Sequence, residues 1–243
     1  MTGIGILGAQ GRMGQLIAAE LGGLGARNAG GIDVGGDPLA LARDADVLVD
    51  FSSPAALEAN LAAARAAGTP IVIGTTGLRE AHHTAIDAAA AEVAVLQTGN
   101  TSLGVTLLAR LVREAAARLD AEDWDIEILE MHHRHKIDAP SGTALLLGSA
   151  AAEGRGTSLP EASVSGRAGL TGERSEGTIG FASLRGGAVY GDHSVILAGP
   201  GERIELTHRA DTREIFARGA IRAALWLARQ PAGRYGMGEV LGL

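Results

Sequence analysis

Ile4-Gly5-Ile6-Leu7-Gly8-Ala9-Gln10-Gly11-Arg12-Met13-Gly14 begins with a short apolar run, continues through glycines three residues apart and ends inside a helical pattern. An unbroken apolar run is how a strand buried on both faces reads. Glycines behind it permit a tight turn and let backbone approach a pyrophosphate, which the N–H groups and positive dipole end of the next helix, read over Met13–Leu21, would hold. The spacing is Gly-x-x-Gly-x-x-Gly, not the strict Gly-x-Gly-x-x-Gly, so the location in the first strand-to-helix turn carries much of the weight. The competing reading is a glycine-rich turn without a ligand. Gly8, Ala9, Gln10, Gly11, Arg12 and Met13 are the candidate cofactor contacts.

Outward from this turn, strand-like and helix-like segments alternate. Ala29–Ile32 is a weak second strand, Val47–Phe51 and Ile71–Ile73 are continuous apolar strands, and Val93–Leu96 is another; Pro54–Ala67 and Arg79–Ala91 read as the intervening helices. This alternation predicts a Rossmann-like, doubly wound parallel sheet. Asp33, 19 residues past Gly14, follows the second strand, where a carboxylate accepts hydrogen bonds from ribose hydroxyls and repels a 2′-phosphate. Val34 beside it supplies no compensating cation, so NADH is expected in preference to NADPH. Gly74-Thr75-Thr76 and Thr98-Gly99-Asn100-Thr101 follow later strands, at the end of the sheet where ligands bind, and their hydroxyls suit a carboxamide or ribose; plain turns or caps are the alternative.

After residue 102 the pattern changes. A long helix over Leu103–Leu119 precedes a half-alternating strand, Trp124–Met131, and a helix over Ser141–Glu153. Gly154–Gly177 reads as one long loop, followed by strands at Thr178–Leu184, Ala188–Leu197 and Arg203–Thr207 and an amphipathic helix over Arg213–Ala228. The expectation is a second, α+β domain with a mixed sheet over residues 103–213, and a dinucleotide-binding domain made of 1–102 and 214–243. The chain has no cysteine, which removes thiolate nucleophiles and Cys metal sites. Its 21 basic against 28 acidic residues argue against a nucleic-acid partner. No apolar run is long enough to span a membrane, and no leader-like segment precedes the first strand, so a cytoplasmic protein is expected.

Glu130-Met131-His132-His133-Arg134-His135-Lys136-Ile137-Asp138-Ala139-Pro140-Ser141-Gly142-Thr143-Ala144 concentrates cations in an otherwise acidic chain. Such a cluster suits a substrate bearing carboxylates, and crowded like charges lower His and Lys pKa values, which favours proton transfer near neutral pH. Ser141, Gly142 and Thr143 fall at a helix N-terminus, where backbone N–H groups hold a carboxylate. A solvated basic loop and a nucleic-acid patch are alternatives. A metal held by His132, His133 and His135 is another, but the run lacks His-Glu-x-x-His spacing, and no metal is expected. Ser141 lacks the Gly-x-Ser-x-Gly elbow of a hydrolytic nucleophile.

Gly8–Gly14, Gly74-Thr75-Thr76-Gly77 and the Glu130–Ala144 run resemble the dihydrodipicolinate reductase family of bacterial lysine and diaminopimelate synthesis. Thr178–Gly187, Gly201–His208 and Ala217–Leu227 extend the resemblance, in the family's order, over nearly the whole chain. It implies hydride transfer from NAD(P)H to C4 of a cyclic imine dicarboxylate, with loss of water and protonation of the ring. It also implies a homotetramer built on the sheet of the second domain. His132 and Lys136 would be the acid–base pair, with Lys136 the favoured proton donor; His133, Gly142 and Thr143 would hold the substrate. Gly8–Met13, Asp33, Gly74–Thr76 and Thr98–Thr101 would hold the cofactor. Leu24–Asp46 is shorter than in most members, Val34 stands where many place Arg, and Thr101 and Thr106 replace a usual Phe or Met and a frequent Asn. Another amino-acid dehydrogenase, such as an aspartate dehydrogenase, would share the turn without needing His132–Thr143. A non-catalytic dinucleotide sensor would dispense with His132 and Lys136.

Overall fold

Ile4, Ile6, Val47, Val49, Val72 and Leu96 lie in one core, while Leu7, Leu48, Ile71, Ile73 and Val95 lie in another. Neighbouring residues of one strand point to opposite faces, so this partition means a sheet buried on both sides. A computed structural model describes residues Met1–Leu243 and divides them into two units, Met1–Leu103 with Glu214–Leu243, and Gly104–Arg213.

The first unit runs β1 (Thr2–Leu7), α1 (Arg12–Glu20), β2 (Ala26–Ile32), α2 (Pro38–Asp44), β3 (Val47–Asp50), α3 (Leu57–Ala67), β4 (Ile71–Ile73), α4 (Glu80–Ala90) and β5 (Ala94–Gln97). Then come α5 (Leu103–Arg118), β6 (Asp125–His132), α6 (Gly142–Gly154), α7 (Leu159–Ala162), β7 (Ser163–Ser165), β8 (Ile179–Arg185), β9 (Asp192–Gly199) and β10 (Glu202–Arg209). The chain ends in α8 (Glu214–Leu227), β11 (Gly233–Tyr235) and α9 (Met237–Val240), all in the first unit.

The first sheet is parallel throughout, in the order β11-β5-β4-β3-β1-β2. The chain leaves β1 on one side to form β2 and on the other to form β3, so the ends of β1 and β3 mark the switch point where such sheets bind ligands. Ile17 of α1 and Ala217, Ala220, Ile221 and Ala224 of α8 fill one face; Leu41, Leu57, Leu61 and Ile86 of α2, α3 and α4 fill the other. The second sheet is mixed, in the order β10-β9-β6-β8-β7, with β6 parallel to β8 and antiparallel to β9. Leu108 and Val112 of α5 and Leu147 and Ala151 of α6 share a core with Ile126, Ile128, Val195 and Leu197 of its strands.

Four segments differ from the sequence reading. Gly154–Gly177 is not one loop: Leu159-Pro160 starts the single turn of α7, and β7 pairs with the edge of β8. A three-residue strand is too short to show alternation. The helix expected over Pro54–Ala67 begins as a 3₁₀ turn at Pro54–Ala56. The unpredicted α2 is started by Asp37, whose carboxylate accepts from the N–H groups of Leu39 and Ala40 at 2.9 and 3.2 Å. The terminal β11 and α9 are likewise too short to have been read.

Close packing of α8 depends on a glycine. A Cβ on Gly219 would lie 1.8 Å from the Thr101 carbonyl oxygen, a backbone atom with little room to move. Gly219→Ala should therefore destabilise the protein by about 3 kcal/mol or more, as overpacking does at its upper end. Gly23→Ala, where a Cβ would meet nothing within 4 Å, should stay within about 0.5 kcal/mol of wild type. Urea unfolding of the two variants checks this; equal midpoints would show that α8 is not packed this closely.

Candidate functional site

In the first unit the glycine turn is shaped by contacts that leave no room for side chains. Gly8 has φ +84°, and a Cβ on it would lie 2.7 Å from the Phe51 carbonyl oxygen. A Cβ on Gly14 would come within 2.3 Å of the Gly8 carbonyl oxygen. The N–H groups of Gly8 and Ala9 donate to the Ile32 carbonyl at 2.9 and 3.1 Å, and the Gln10 N–H donates to the Asp33 carboxylate at 2.9 Å. Asp33 thus holds the turn while its side chain remains at the surface. Helix α1 starts at Arg12 with neither a side-chain cap nor an acid in its first turn, which leaves its end suited to an anion. Arg12 is exposed there, and Met13 is half-buried against the first core.

Beside the turn lies a crevice of about 530 Å³ lined by residues that include Gly8, Gly11, Asp33, Val34, Pro38 and Ala56. No lysine or arginine lines it, and Val34 is fully exposed at its rim. A glycine cradle that added Cβ atoms would fill, an open helix end and an adjacent largely apolar crevice fit a nicotinamide dinucleotide.

The later turns are placed less simply. Gly74 packs on Phe51, whose ring would be 2.3 Å from an added Cβ. Thr75 is buried and its hydroxyl donates to the Asp50 carboxylate at 3.1 Å; Thr76 is exposed. Thr98 accepts from the Asn100 N–H at 3.1 Å and donates to the Asn100 carbonyl at 2.8 Å, with Gly99 exposed between them. Thr101 is buried and its hydroxyl donates to the Phe216 carbonyl at 2.8 Å. The hydroxyl protons of Thr75 and Thr101 are thus directed to acceptors inside the protein, and both side chains are buried at the end of the sheet.

The second unit gathers the His/Lys cluster at the end of β6. Alternation along this strand buries Ile126, Ile128, Glu130 and His132 on one face. His132 Nδ1 lies 2.6 Å from Glu130 Oε2. Past the strand, the His133 N–H donates to the Val189 carbonyl at 2.7 Å and the Lys136 N–H to the His133 carbonyl at 3.1 Å, a turn that places Lys136 Nζ 2.8 and 2.9 Å from the two oxygens of Asp138. Ser141 caps α6 by accepting from the Ala144 N–H at 3.1 Å; Gly142 and Thr143 form its first turn, Gly142 exposed and Thr143 half-buried. The Ser141 hydroxyl also meets His193 Nε2 at 2.9 Å.

Glu130, Asp138, Arg185 and His193 received no role in the sequence reading. Glu130 falls in phase with Ile126 and Ile128, and His193 with Val195 and Leu197, so a polar residue on a buried face was the available signal. They also revise the picture of crowded cations: Glu130 and Asp138 sit among them. Burial opposes ionisation of Glu130, but hydrogen bonds from Arg185, His132 and Ser183 outweigh it and hold its pKa at about 2. Burial, helped by Arg213 and His135, lowers the pKa of His133. Burial and His132 lower that of His193 to about 4. His133 and His135 have ring centroids 6.2 Å apart, and His132 is engaged by Glu130.

Known proteins resemble the chain throughout. The family profiles described as "Dihydrodipicolinate reductase, N-terminus" and "Dihydrodipicolinate reductase, C-terminus" match residues 18–101 and 104–241. A 4-hydroxy-tetrahydrodipicolinate reductase of Zymomonas mobilis is 56% identical over 247 aligned residues, covering 99% of this chain and 97% of its own. One from Acidiphilium cryptum is 52% identical over 240, covering 99% and 97%. Among solved structures, a dipicolinate-bound dihydrodipicolinate reductase from Paenisporosarcina sp. TG-14 superposes with TM-score 0.78 at 22% identity over 100% of both chains. An aspartate dehydrogenase from Thermotoga maritima reaches 0.51 at 11% identity, covering 93% of this chain and 97% of its own, a likeness of fold.

The lowered pKa of His193 predicts acid lability. The unfolded chain takes up this proton near pH 6.5 and the folded one only near 4, so the stability is complete above about pH 6.5 and falls as the pH drops to about 4. Glu130 adds a second loss as the pH falls from about 4.5 toward 2. Urea unfolding at pH 7.5 and 4.5 should show His193→Gln losing roughly 2 to 3 kcal/mol less than wild type between the two. An identical decline would contradict the assignment.

Proposed function

This chain belongs to the dihydrodipicolinate reductase family, and on that premise we propose that it is an NAD(P)H-dependent 4-hydroxy-tetrahydrodipicolinate reductase acting in lysine and diaminopimelate synthesis. The observation that carries the reading is the second unit's combination of Lys136, His132 and the α6 N-terminus, which suits a substrate with two carboxylates and a ring to be protonated. A bound nicotinamide would supply a hydride to C4 of the cyclic imine, whose 4-hydroxyl leaves as water.

The residues of the chain do the rest. Gly8–Met13 hold the pyrophosphate on the open end of α1, Asp33 takes the ribose hydroxyls, and the backbone of Gly74–Thr76 and Thr98–Thr101 borders the nicotinamide half. Lys136 donates the ring proton: its ammonium carries three N–H donors, and pairing with Asp138 leaves capacity for a substrate atom. His132 exchanges protons alongside it. The N–H groups of Gly142 and Thr143 and the side chain of His133 receive the carboxylates.

NADH is the preferred cofactor, supported by Asp33 and by the absence of a cation along the crevice. The enzyme works as a cytoplasmic homotetramer through the second sheet. Support comes from the face of that sheet opposite α5 and α6, where Leu129, Met131, Ala182, Leu184 and Ile196 align and Leu184 is 48% exposed. No helix of the chain is long and apolar enough to cross a membrane.

The test is to form the substrate in place from pyruvate and aspartate semialdehyde with a synthase and follow the loss of NADH absorbance. Enzyme-dependent oxidation is expected; none with either cofactor would sink the reading. In the same assay Lys136→Ala should lower kcat by about two to four orders of magnitude, and unchanged turnover of the folded variant would remove Lys136 from its role. Val34→Arg should raise the NADPH-to-NADH ratio of kcat/KM by about tenfold, the size of one charge-assisted hydrogen bond. An unchanged ratio would mean that Asp33 and Val34 do not face the ribose.

A further inference from the structure

Glu130 is 1% exposed, and each of its oxygens is held by more than one donor. Arg185 grips both, NH1 to Oε2 at 2.8 Å and NH2 to Oε1 at 2.9 Å. Oε2 also faces His132 Nδ1 at 2.6 Å, and Oε1 accepts from the Ser141 N–H at 3.2 Å. Arg185 NH2 donates in addition to the Asp138 carbonyl at 2.6 Å. One buried carboxylate and one arginine therefore join the end of β6, the loop carrying Lys136 and Asp138, and the residue that caps α6.

We infer that Glu130, clamped by Arg185, is a positioning residue that keeps His132 protonated on Nδ1 and leaves Nε2 as its proton-exchanging nitrogen. An ionised carboxylate only accepts hydrogen bonds, so the nitrogen facing it carries the hydrogen and the lone pair of the neutral ring resides on Nε2. The arrangement parallels the carboxylate that orients the imidazole of hydrolytic triads. His193 closes the other side of the ring, edge-on at 5.1 Å between centroids, without an ionic contact that competes for Nδ1. A purely structural pair would need to span only β6 and β8, where His132 lies opposite Arg185. Contacts to His132, Ser141 and Asp138 together exceed that need. The functional half of this inference rests on His132 being the proton-exchanging residue proposed above; the tautomer does not.

The test is Glu130→Gln. A neutral amide loses an acceptor site and presents N–H groups to donors already there. In ¹⁵N spectra of sedimented, histidine-labelled wild type at alkaline pH, His132 should show a protonated Nδ1 and an unprotonated Nε2, its signals assigned by their loss in His132→Gln. Glu130→Gln should mix or reverse the two. Its kcat should fall by about 10- to 100-fold, the usual loss when a residue orienting a functional histidine is removed, with substrate KM within about threefold. Should that variant not fold, Arg185→Lys replaces the fork by a point charge and should still cost about tenfold in kcat. An unprotonated Nδ1 in wild type, or unchanged kcat in folded Glu130→Gln or Arg185→Lys, would overturn the inference. Absence of all reductase activity in wild type would instead overturn the proposed function, leaving the ¹⁵N result to stand alone.

Discussion

A carboxylate that cannot reach water organises the second unit. Moving a charge such as Glu130 into a protein interior costs several kcal/mol unless it is paired and fully hydrogen-bonded. The chain meets that demand with Arg185, 55 residues away, and with groups drawn from three other segments: His132, Ser141 and, through Arg185, Asp138. Those same segments carry the proposed proton-exchanging histidine, the proposed proton donor and the helix end proposed to receive a carboxylate. Electrostatic satisfaction of one buried group and placement of the functional groups are thus one structural solution.

The first unit contains a counterpart. Asp50 ends β3 with no exposed surface and is satisfied without a cation, by the N–H and hydroxyl of Ser52, the amide of Asn60 and the hydroxyl of Thr75. It ties the turn after β3 to the turn after β4, two edges of the sheet end where a dinucleotide lies in this fold. The glycine turn adds a steric constraint: Gly8 and Gly14 face backbone atoms that do not yield. Rigid loops at the strand ends and a preformed crevice suit a cofactor whose reactive ring must be held in one orientation.

Much of this was legible in the chain. The apolar runs at Ile4–Leu7, Val47–Phe51 and Ile71–Ile73 read as doubly buried strands, and the structure has strands there, the second ending one residue earlier at Asp50, because their aliphatic side chains divide between two cores. The His132–Thr143 run stood out because cations cluster there. What escaped was either too short for a periodicity, as with β7 and α2, or depended on residues far apart in sequence. Nothing in local spacing joins Glu130 to Arg185. The hydroxyls of Thr75 and Thr101 are a related case: a threonine at the end of a strand is equally suited to a ligand and to a buried internal acceptor, and only the structure shows that both donate to Asp50 and Phe216.

On the proposed function, one chain delivers a hydride from its dinucleotide to a cyclic dicarboxylate and protonates the ring itself. Mass spectrometry of the product formed with NADH deuterated at the transferring position of C4 follows that hydride. A single deuterium on ring carbon 4 of the product, dependent on Lys136, is expected. An unlabelled product, or oxidation of the cofactor without a reduced dicarboxylate, would contradict it.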